Sequence, residues 1–230
     1  MSVLLELEGV SRVYGEGVPV YALRDVSLQV MAGDFLSIVG PSGSGKSTML
    51  GLLGCLDLPT SGTIRIGGTD VGALDDASRS VLRGRSIGFV FQQFHLIPHL
   101  SAQGNVETAL LYRGLRASER RDRARDALDA VGLAARADHR PVQMSGGEQQ
   151  RVAIARAIVT EPLIVLADEP TGALDSKNAA MVMEIFGELQ SPQRAVVIVT
   201  HDLGVANSAA RKVSMRDGEI VADERLVAVS

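Results

Sequence analysis

The first thirty residues alternate apolar and polar positions. Leu5, Leu7, Val10 and Val13 carry the pattern and Tyr21 to Val30 repeats it, which predicts two antiparallel strands. After a turn at Gly33-Asp34 the pattern changes. Phe35 to Val39 is a short continuous apolar run that reads as a buried strand; it leads directly into a glycine-rich loop, and Lys46 to Leu56 then has helical spacing. Asp57 to Gly62 breaks that helix, Thr63 to Ile66 reads as a strand, and Ile87 to Phe91 as another that ends at Gln92. From His95 to Val159 helix formers dominate, punctuated by turn signals at Pro98, Gly114, Gly132 and Pro141. Strand runs return at Leu163 to Leu166 and Ala195 to Val199, with a helical segment from about Lys177 to Leu189 between them. Arg211 to Val221 closes with two strands around Asp217-Gly218. The alternation predicts an α/β chain with parallel strands and crossover helices, an N-terminal antiparallel β-subdomain and an inserted helical subdomain.

Composition narrows this picture. A chain of 230 residues buries a substantial core and fits one compact unit, and its net charge of −4 argues against a broad nucleic-acid surface. The one dense basic stretch, Arg120 to Asp126, interleaves its arginines with aspartates and reads as a solvated helix face. Cys55 has no partner for an intramolecular disulfide, and Leu52, Leu53 and Leu56 place it on a buried helical face. No apolar run approaches the roughly 20 residues that span a bilayer, and the opening residues carry acids where a signal peptide needs bases. The expectation is a chain in the cytosol whose membrane role, if any, runs through a separate membrane protein.

The chemistry concentrates in a few segments. In Gly40-Pro41-Ser42-Gly43-Ser44-Gly45-Lys46-Ser47-Thr48 the glycines let backbone N–H groups turn inward around phosphate oxygens, and the following helix presents its positive end to them. Lys46 is placed to reach β- and γ-phosphates, Ser47 to ligate Mg²⁺ and Thr48 to bond the α-phosphate. The strand Leu163 to Ala167 ends in two acids: Asp168 suits a Mg²⁺-bound water and Glu169 the polarisation of an attacking water. Gln92, at another strand end, is placed to touch both Mg²⁺ and that water, and His201, after a third strand, to bond the γ-phosphate. His95, His99 and His139 lack such placement and read as surface or packing residues.

A second anion site begins at Ser145-Gly146-Gly147-Glu148, where a hydroxyl and unhindered backbone amides open an apolar-spaced helix. Two γ-phosphate binders over-supply one nucleotide, which points to donation across a two-fold dimer with two composite sites. A plain capping box, Ser145 with Glu148 three residues on, explains the same residues equally well.

The ordered set of phosphate loop, Gln92, Met144 to Arg151, Asp168-Glu169, Ala173-Leu174-Asp175 and His201 resembles the nucleotide-binding subunit of ATP-binding cassette (ABC) proteins along nearly the full chain. The resemblance implies a phosphate-loop NTPase core of the RecA-like kind over 1–92 and 160–230, a helical signature subdomain over 93–159, and one ATPase domain over 1–230. It also implies ATP and Mg²⁺ as cofactors, stacking of Tyr14 on adenine, and Asp175 in a loop that crosses the dimer. Ile87 to Gln92, His95 to Pro98, His139 to Pro141 and Asp168 to Asp175 look like the lipoprotein-releasing, macrolide-export and cell-division branch. Met144 and Gly104 depart from it, where Leu and Glu are usual. That branch implies a homodimer on the cytosolic membrane face driving a few-helix permease with a large extracytoplasmic domain, with no nucleic acid. Control of wall hydrolases without transport is the alternative.

Overall fold

The computed structural model describes residues 2–15 and 17–226; Met1, Glu16 and residues 227–230, and with them both ends of the expected unit 1–230, lie outside that description. The alternating N-terminal segments are strands β1 (Val3–Tyr14) and β2 (Val20–Met31), which pair antiparallel. With β4 (Ser61–Ile66) and β5 (Thr69–Asp70) they form a four-stranded sheet in the order β2-β1-β4-β5.

The continuous apolar runs are β3 (Phe35–Val39), β6 (Ile87–Phe91), β7 (Ile164–Asp168) and β8 (Ala195–Thr200). With β9 (Arg211–Arg216) and β10 (Glu219–Arg225) they make a six-stranded sheet ordered β10-β9-β3-β8-β7-β6, parallel except for the β9–β10 hairpin. The period of two along these runs sorts side chains into two cores. Leu36, Ile38, Ile164, Leu166, Val197 and Val199 face the antiparallel sheet and α1 (Lys46–Leu53). Val165, Ala167, Val196 and Ile198 face a layer with Val152, Ile154, Val182 and Phe186 from the helices. A strand buried on both faces has no polar side to show, which is why its sequence reads as an unbroken apolar run. Each such Leu, Ile, Val or Phe side chain stabilises the fold by about 1.5–3 kcal/mol relative to exposure.

The other helices are α2 (Asp76–Ser86), α3 (Ala102–Glu107), α4 (Ala117–Asp129), α5 (Gly146–Ile158), α6 (Ser176–Leu189) and α7 (Leu203–Asn207). Helices α3, α4 and α5 pack on one another, and α5 lies against β6. In α4 the buried residues are Ala124, Ala127 and Leu128, while Arg121, Asp122 and Arg123 face outward and Arg123 pairs with Glu119 at 3.0 Å, the solvated face its charge pattern foretells.

Two expectations are corrected. The helix expected to run to Leu56 stops at Leu53, because Cys55 turns left-handed at φ +56° and the Cys55 and Leu56 N–H groups fold back to donate to the Leu52 carbonyl at 3.1 Å and the Gly51 carbonyl at 2.9 Å. Cys55 is still buried but off the helix, and Leu56 is exposed. Helix α2 has no counterpart in the apolar pattern: it buries only Ser86, and its one local signal is the Asp75 carboxylate accepting the Ser78 N–H at 2.8 Å. At Gly104 the backbone N–H donates to Ser101 Oγ at 3.1 Å, so α3 is capped despite the glycine.

Helix α5 comes close to the sheet at Gly88, where a Cβ would run into the Ala157 carbonyl. Gly88→Ala is expected to lower unfolding free energy by about 1–3 kcal/mol through overpacking, read from urea denaturation; an unshifted midpoint would show that α5 moves aside at no cost.

Candidate functional site

Strand register assembles the site. Val39 lies beside Thr200, Asp168 beside Val199 and Phe91 beside Asp168, so four neighbouring parallel strands end level. The residues that follow them, Gly40, His201, Glu169 and Gln92, therefore emerge along one sheet edge, at the carboxyl ends where open α/β sheets bind ligands.

The loop after β3 bends through Gly43 at φ +80° and Gly45 at φ +97°, and a Cβ on Gly45 would run into the Ala22 carbonyl. Lys46 Nζ donates to the carbonyls of Gly40 at 2.7 Å and Pro41 at 2.9 Å, which curls its ammonium over the loop. Ser44 Oγ is buried beneath the loop with no hydrogen-bond partner. Gly40, Pro41, Ser42, Gly43, Gly45, Lys46, Ser47 and Thr48 line a cleft of about 760 Å³ together with Gln92, Asp168, Glu169 and His201. Cradle, cation and helix N-terminus fit a phosphate chain.

Glu169 sits at φ +45°, a conformation costing about 1–2 kcal/mol for a residue other than glycine. Its carboxylate is held by three donors or partners: Oε2 accepts from Thr200 Oγ1 at 2.9 Å, and Oε1 accepts the His201 backbone N–H at 2.9 Å and faces His201 Nδ1 at 2.6 Å. Burial raises the Asp168 pKa above the ordinary carboxylate range, with the Glu169 charge adding to the shift and Lys46 opposing it. A hydroxyl at Ser47, an amide at Gln92 and a carboxylate at Asp168 are oxygen donors suited to a hard ion such as Mg²⁺. Among the described residues no group of three or more His, Cys, Asp or Glu offers a competing metal cage.

The other candidates lie outside this cleft. Ser145 caps α5 in a full capping box: its Oγ accepts the Glu148 N–H at 3.3 Å, and Glu148 Oε2 accepts the Ser145 N–H at 2.8 Å. That N–H, seconded by the Ser145 hydroxyl and by Arg136 and Arg151, holds the Glu148 pKa below its usual value. A Cβ on Gly147 would collide with the Asn178 side chain, so the glycine turn seats directly on α6. Asp175 caps α6 by accepting the Asn178 N–H at 2.9 Å, which lowers its pKa. Gly146 lies beside Leu174 and Phe94.

Tyr14 is also apart. Its hydroxyl donates to Asp57 at 2.9 Å and the Arg12 guanidinium covers its ring at 4.5 Å, while Val20, Tyr21 and Ala22 form the cleft wall on that side. Tyr21 enters the sequence reading only as the start of a strand and not as a site residue; the register sets it opposite Val13. Gly172 enters it only within the run Asp168 to Asp175: a Cβ there would stand 2.7 Å from Gln92 Nε2, so a larger residue would push the amide from its place. His95 and His99 are exposed, and His139 contacts Arg136 at 3.0 Å, in keeping with surface and packing roles.

The strand, phosphate loop and helix, with carboxylates at the end of β7 one strand beyond β8, define a phosphate-loop NTPase core. The sequence profile of the ABC transporter family matches residues 23–172, and the chain belongs to that family as an ABC ATPase cassette. The macrolide export ATP-binding/permease protein MacB 1 of Yersinia pestis bv. Antiqua (strain Antiqua) is 50% identical over 224 residues, covering 97% of this chain and 34% of that protein. The pyoverdine export ATP-binding/permease protein PvdT of Pseudomonas aeruginosa is 52% identical over 222 residues, again 34% of its length. The chain thus spans about a third of these relatives. The ABC transporter ATP-binding protein YvrO of Bacillus subtilis (strain 168) is 48% identical and covered over 97% of its length. The dimeric, post-hydrolysis structure of the ATP-binding cassette MJ0796, bound to ADP and Pi, superposes with a TM-score of 0.88 at 46% identity, covering 97% of this chain and 99% of that one.

Because the folded-state pKa of Asp168 is raised, its ionised form at neutral pH costs stability relative to the unfolded chain. Asp168→Asn is expected to raise the thermal midpoint at neutral pH, with the gain fading as pH falls through the carboxylate range to below the unfolded value; a pH-independent difference would assign the effect to packing instead.

Proposed function

We propose that this chain is the ATP-hydrolysing subunit of an export-type ABC complex, that two copies close head to tail on ATP, and that they drive a separate permease at the cytosolic face of the membrane. The observation that carries the reading is the separation of the two anion sites: the phosphate-loop cleft has all its lining residues without Ser145 to Glu148, which lie elsewhere on the same chain. A second copy supplies the missing wall, and the dimeric, product-bound cassette of 46% identity supports that arrangement. The names of the macrolide and pyoverdine relatives support export over wall control. By their names, one protein joins cassette and permease in both, whereas the ATP-binding protein YvrO, covered over 97% of its length, supports a cassette on a chain of its own; the few-helix partner with a large extracytoplasmic domain rests on the resemblance of the motifs to that branch.

In this reading the loop amides and Lys46 hold the phosphates, Thr48 bonds the α-phosphate, and Ser47, Gln92 and Asp168 hold Mg²⁺, which supplies charge neutralisation on the phosphates. Glu169, fixed by Thr200 and His201, orients and polarises the attacking water, and His201 contacts the γ-phosphate. Tyr14 stacks on adenine, with Arg12 over its other face. Ser145, Gly146, Gly147 and Glu148 from the second copy complete the phosphate shell, and Asp175 lies on the crossing loop. Closure and reopening of the pair constitute the stroke.

Glu169→Gln is expected to cut ATP turnover by about a hundredfold or more while ATP-dependent dimers persist in size-exclusion chromatography. Unchanged turnover sinks the assigned base, and a monomer with bound ATP sinks the shared site.

A further inference from the structure

Between β6 and α3 the chain makes an unusual turn immediately after Gln92. Phe94 and His95 are both left-handed, at φ +56° and +48°, and neither is glycine. Two consecutive residues of this kind persist only when their surroundings over-determine them. The turn has modest support of its own: the Phe94 N–H donates to the Phe91 carbonyl at 3.3 Å, and the His95 N–H donates to the Gln93 carbonyl. Further along, Asn105 holds the Ile97 end of the loop, accepting the Ile97 N–H at 2.6 Å and donating to the Ile97 carbonyl at 3.1 Å.

The strained pair itself is held from α5. Arg156 Nη1 donates to the His95 carbonyl at 2.6 Å and Nη2 to the Phe94 carbonyl at 2.8 Å. The planar guanidinium spans two adjacent carbonyls with a fixed fork, which a flexible ammonium cannot do. Burial lowers the Arg156 pKa, and the two carbonyl dipoles are what answer its charge. The same loop also reaches the other end of the helix, since a Cβ on Gly146 would stand 3.8 Å from Phe94 Cζ. Gln92 is thus confined on one side by Gly172 and on the other by a loop fastened to the helix that begins at Ser145.

We propose that Arg156 is a positioning residue for Gln92: by gripping the Phe94 and His95 carbonyls it sets the amide against the phosphate-loop cleft and makes the Gln92 loop and α5 move as one body. This rests on the role given to Gln92 above. The guanidinium touches no substrate; it acts through two backbone carbonyls two and three residues beyond the amide. A change at Gln92 on nucleotide binding or release then displaces the helix whose N-terminus carries the second anion site, and the reverse.

The test is a double-mutant cycle on the purified full chain, with steady-state ATPase kinetics and Mg²⁺ titration for Gln92→Ala, Arg156→Ala, Arg156→Lys and the paired variants. Arg156→Ala is expected to lower kcat about tenfold, the scale of one charge-assisted hydrogen bond, and to raise the half-saturating Mg²⁺ concentration, with KM for ATP changed less than about twofold. Arg156→Lys restores part of the loss. In the Gln92→Ala background Arg156→Ala costs no further kcat, whereas a merely structural arginine lowers both backgrounds by the same factor, which would overturn the proposal alone. Gln92→Ala turning over at the wild-type rate removes the role of Gln92, and the inference with it. Thermal melts monitor the fold, and if the alanine variant does not fold, the cycle runs with Arg156→Lys.

Discussion

Everything at the candidate site depends on the in-register parallel pairing of β3, β8, β7 and β6. Parallel hydrogen bonding sets Val39 beside Thr200 and Asp168 between Val199 and Phe91. A slip of one residue would turn every apolar side chain to the opposite core and carry Gly40, His201, Glu169 or Gln92 off the common edge. Two separate cores enforce the register. One demands Leu36, Ile38, Val197 and Val199, the other Val165, Ala167, Val196 and Ile198, and the two sets alternate along the strands. The energy that folds the sheet is the same energy that aligns the chemistry.

Strain is stored where that alignment needs a side chain in an unfavourable place. Glu169, Phe94 and His95 all adopt left-handed backbone without being glycine. Each is secured by polar contacts from another element: Glu169 by Thr200 and His201 at the end of β8, and the Phe94-His95 pair by Arg156 of α5. Close packing serves the same end where a side chain needs room. Gly172 leaves space for the Gln92 amide and Gly147 lets the signature turn settle on Asn178. The site is therefore made of contacts between elements distant in sequence, and displacement of any one is felt by its partners.

The two readings of Ser145 to Glu148 meet at the N-terminus of α5, where the capping box is the one the hydrogen bonds show. The capping box uses the Ser145 hydroxyl, the Ser145 N–H and the Glu148 N–H. The N–H groups of Gly146 and Gly147 belong to the first turn, where a helix leaves its donors without intrahelical partners. The cap and an anion site therefore share the Ser145 hydroxyl, which the cap points at Glu148 Oε2, while the Gly146 and Gly147 N–H groups take no part in the cap.

Much of this was legible in the one-dimensional pattern. The alternation of Leu5 to Val30, the unbroken apolar runs at Phe35, Ile164 and Ala195, and the glycine spacing of residues 40–48 are local properties, each dictated by burial on one or both faces or by a turn that excludes Cβ. The ends of those runs named Gln92, Asp168, Glu169 and His201 before any contact was known. Helix α2 was not legible, because a nearly unburied helix has no apolar stripe; nor was the early stop at Leu53, because the left-handed turn at Cys55 carries no glycine to mark it. Tyr21, Gly172 and Arg156 are different in kind. Their significance lies in what they meet in space: Tyr21 lines the same cleft as Gln92, 71 residues on, Gly172 stands against Gln92 across 80 residues, and Arg156 bonds Phe94 across 62. The sequence by itself determined the elements and the type of chemistry at their ends, since both follow from local pattern. Only the tertiary structure decided which side chains share the cleft, which cap a neighbouring helix and which hold a strained loop, since those are consequences of packing between segments that no local pattern encodes.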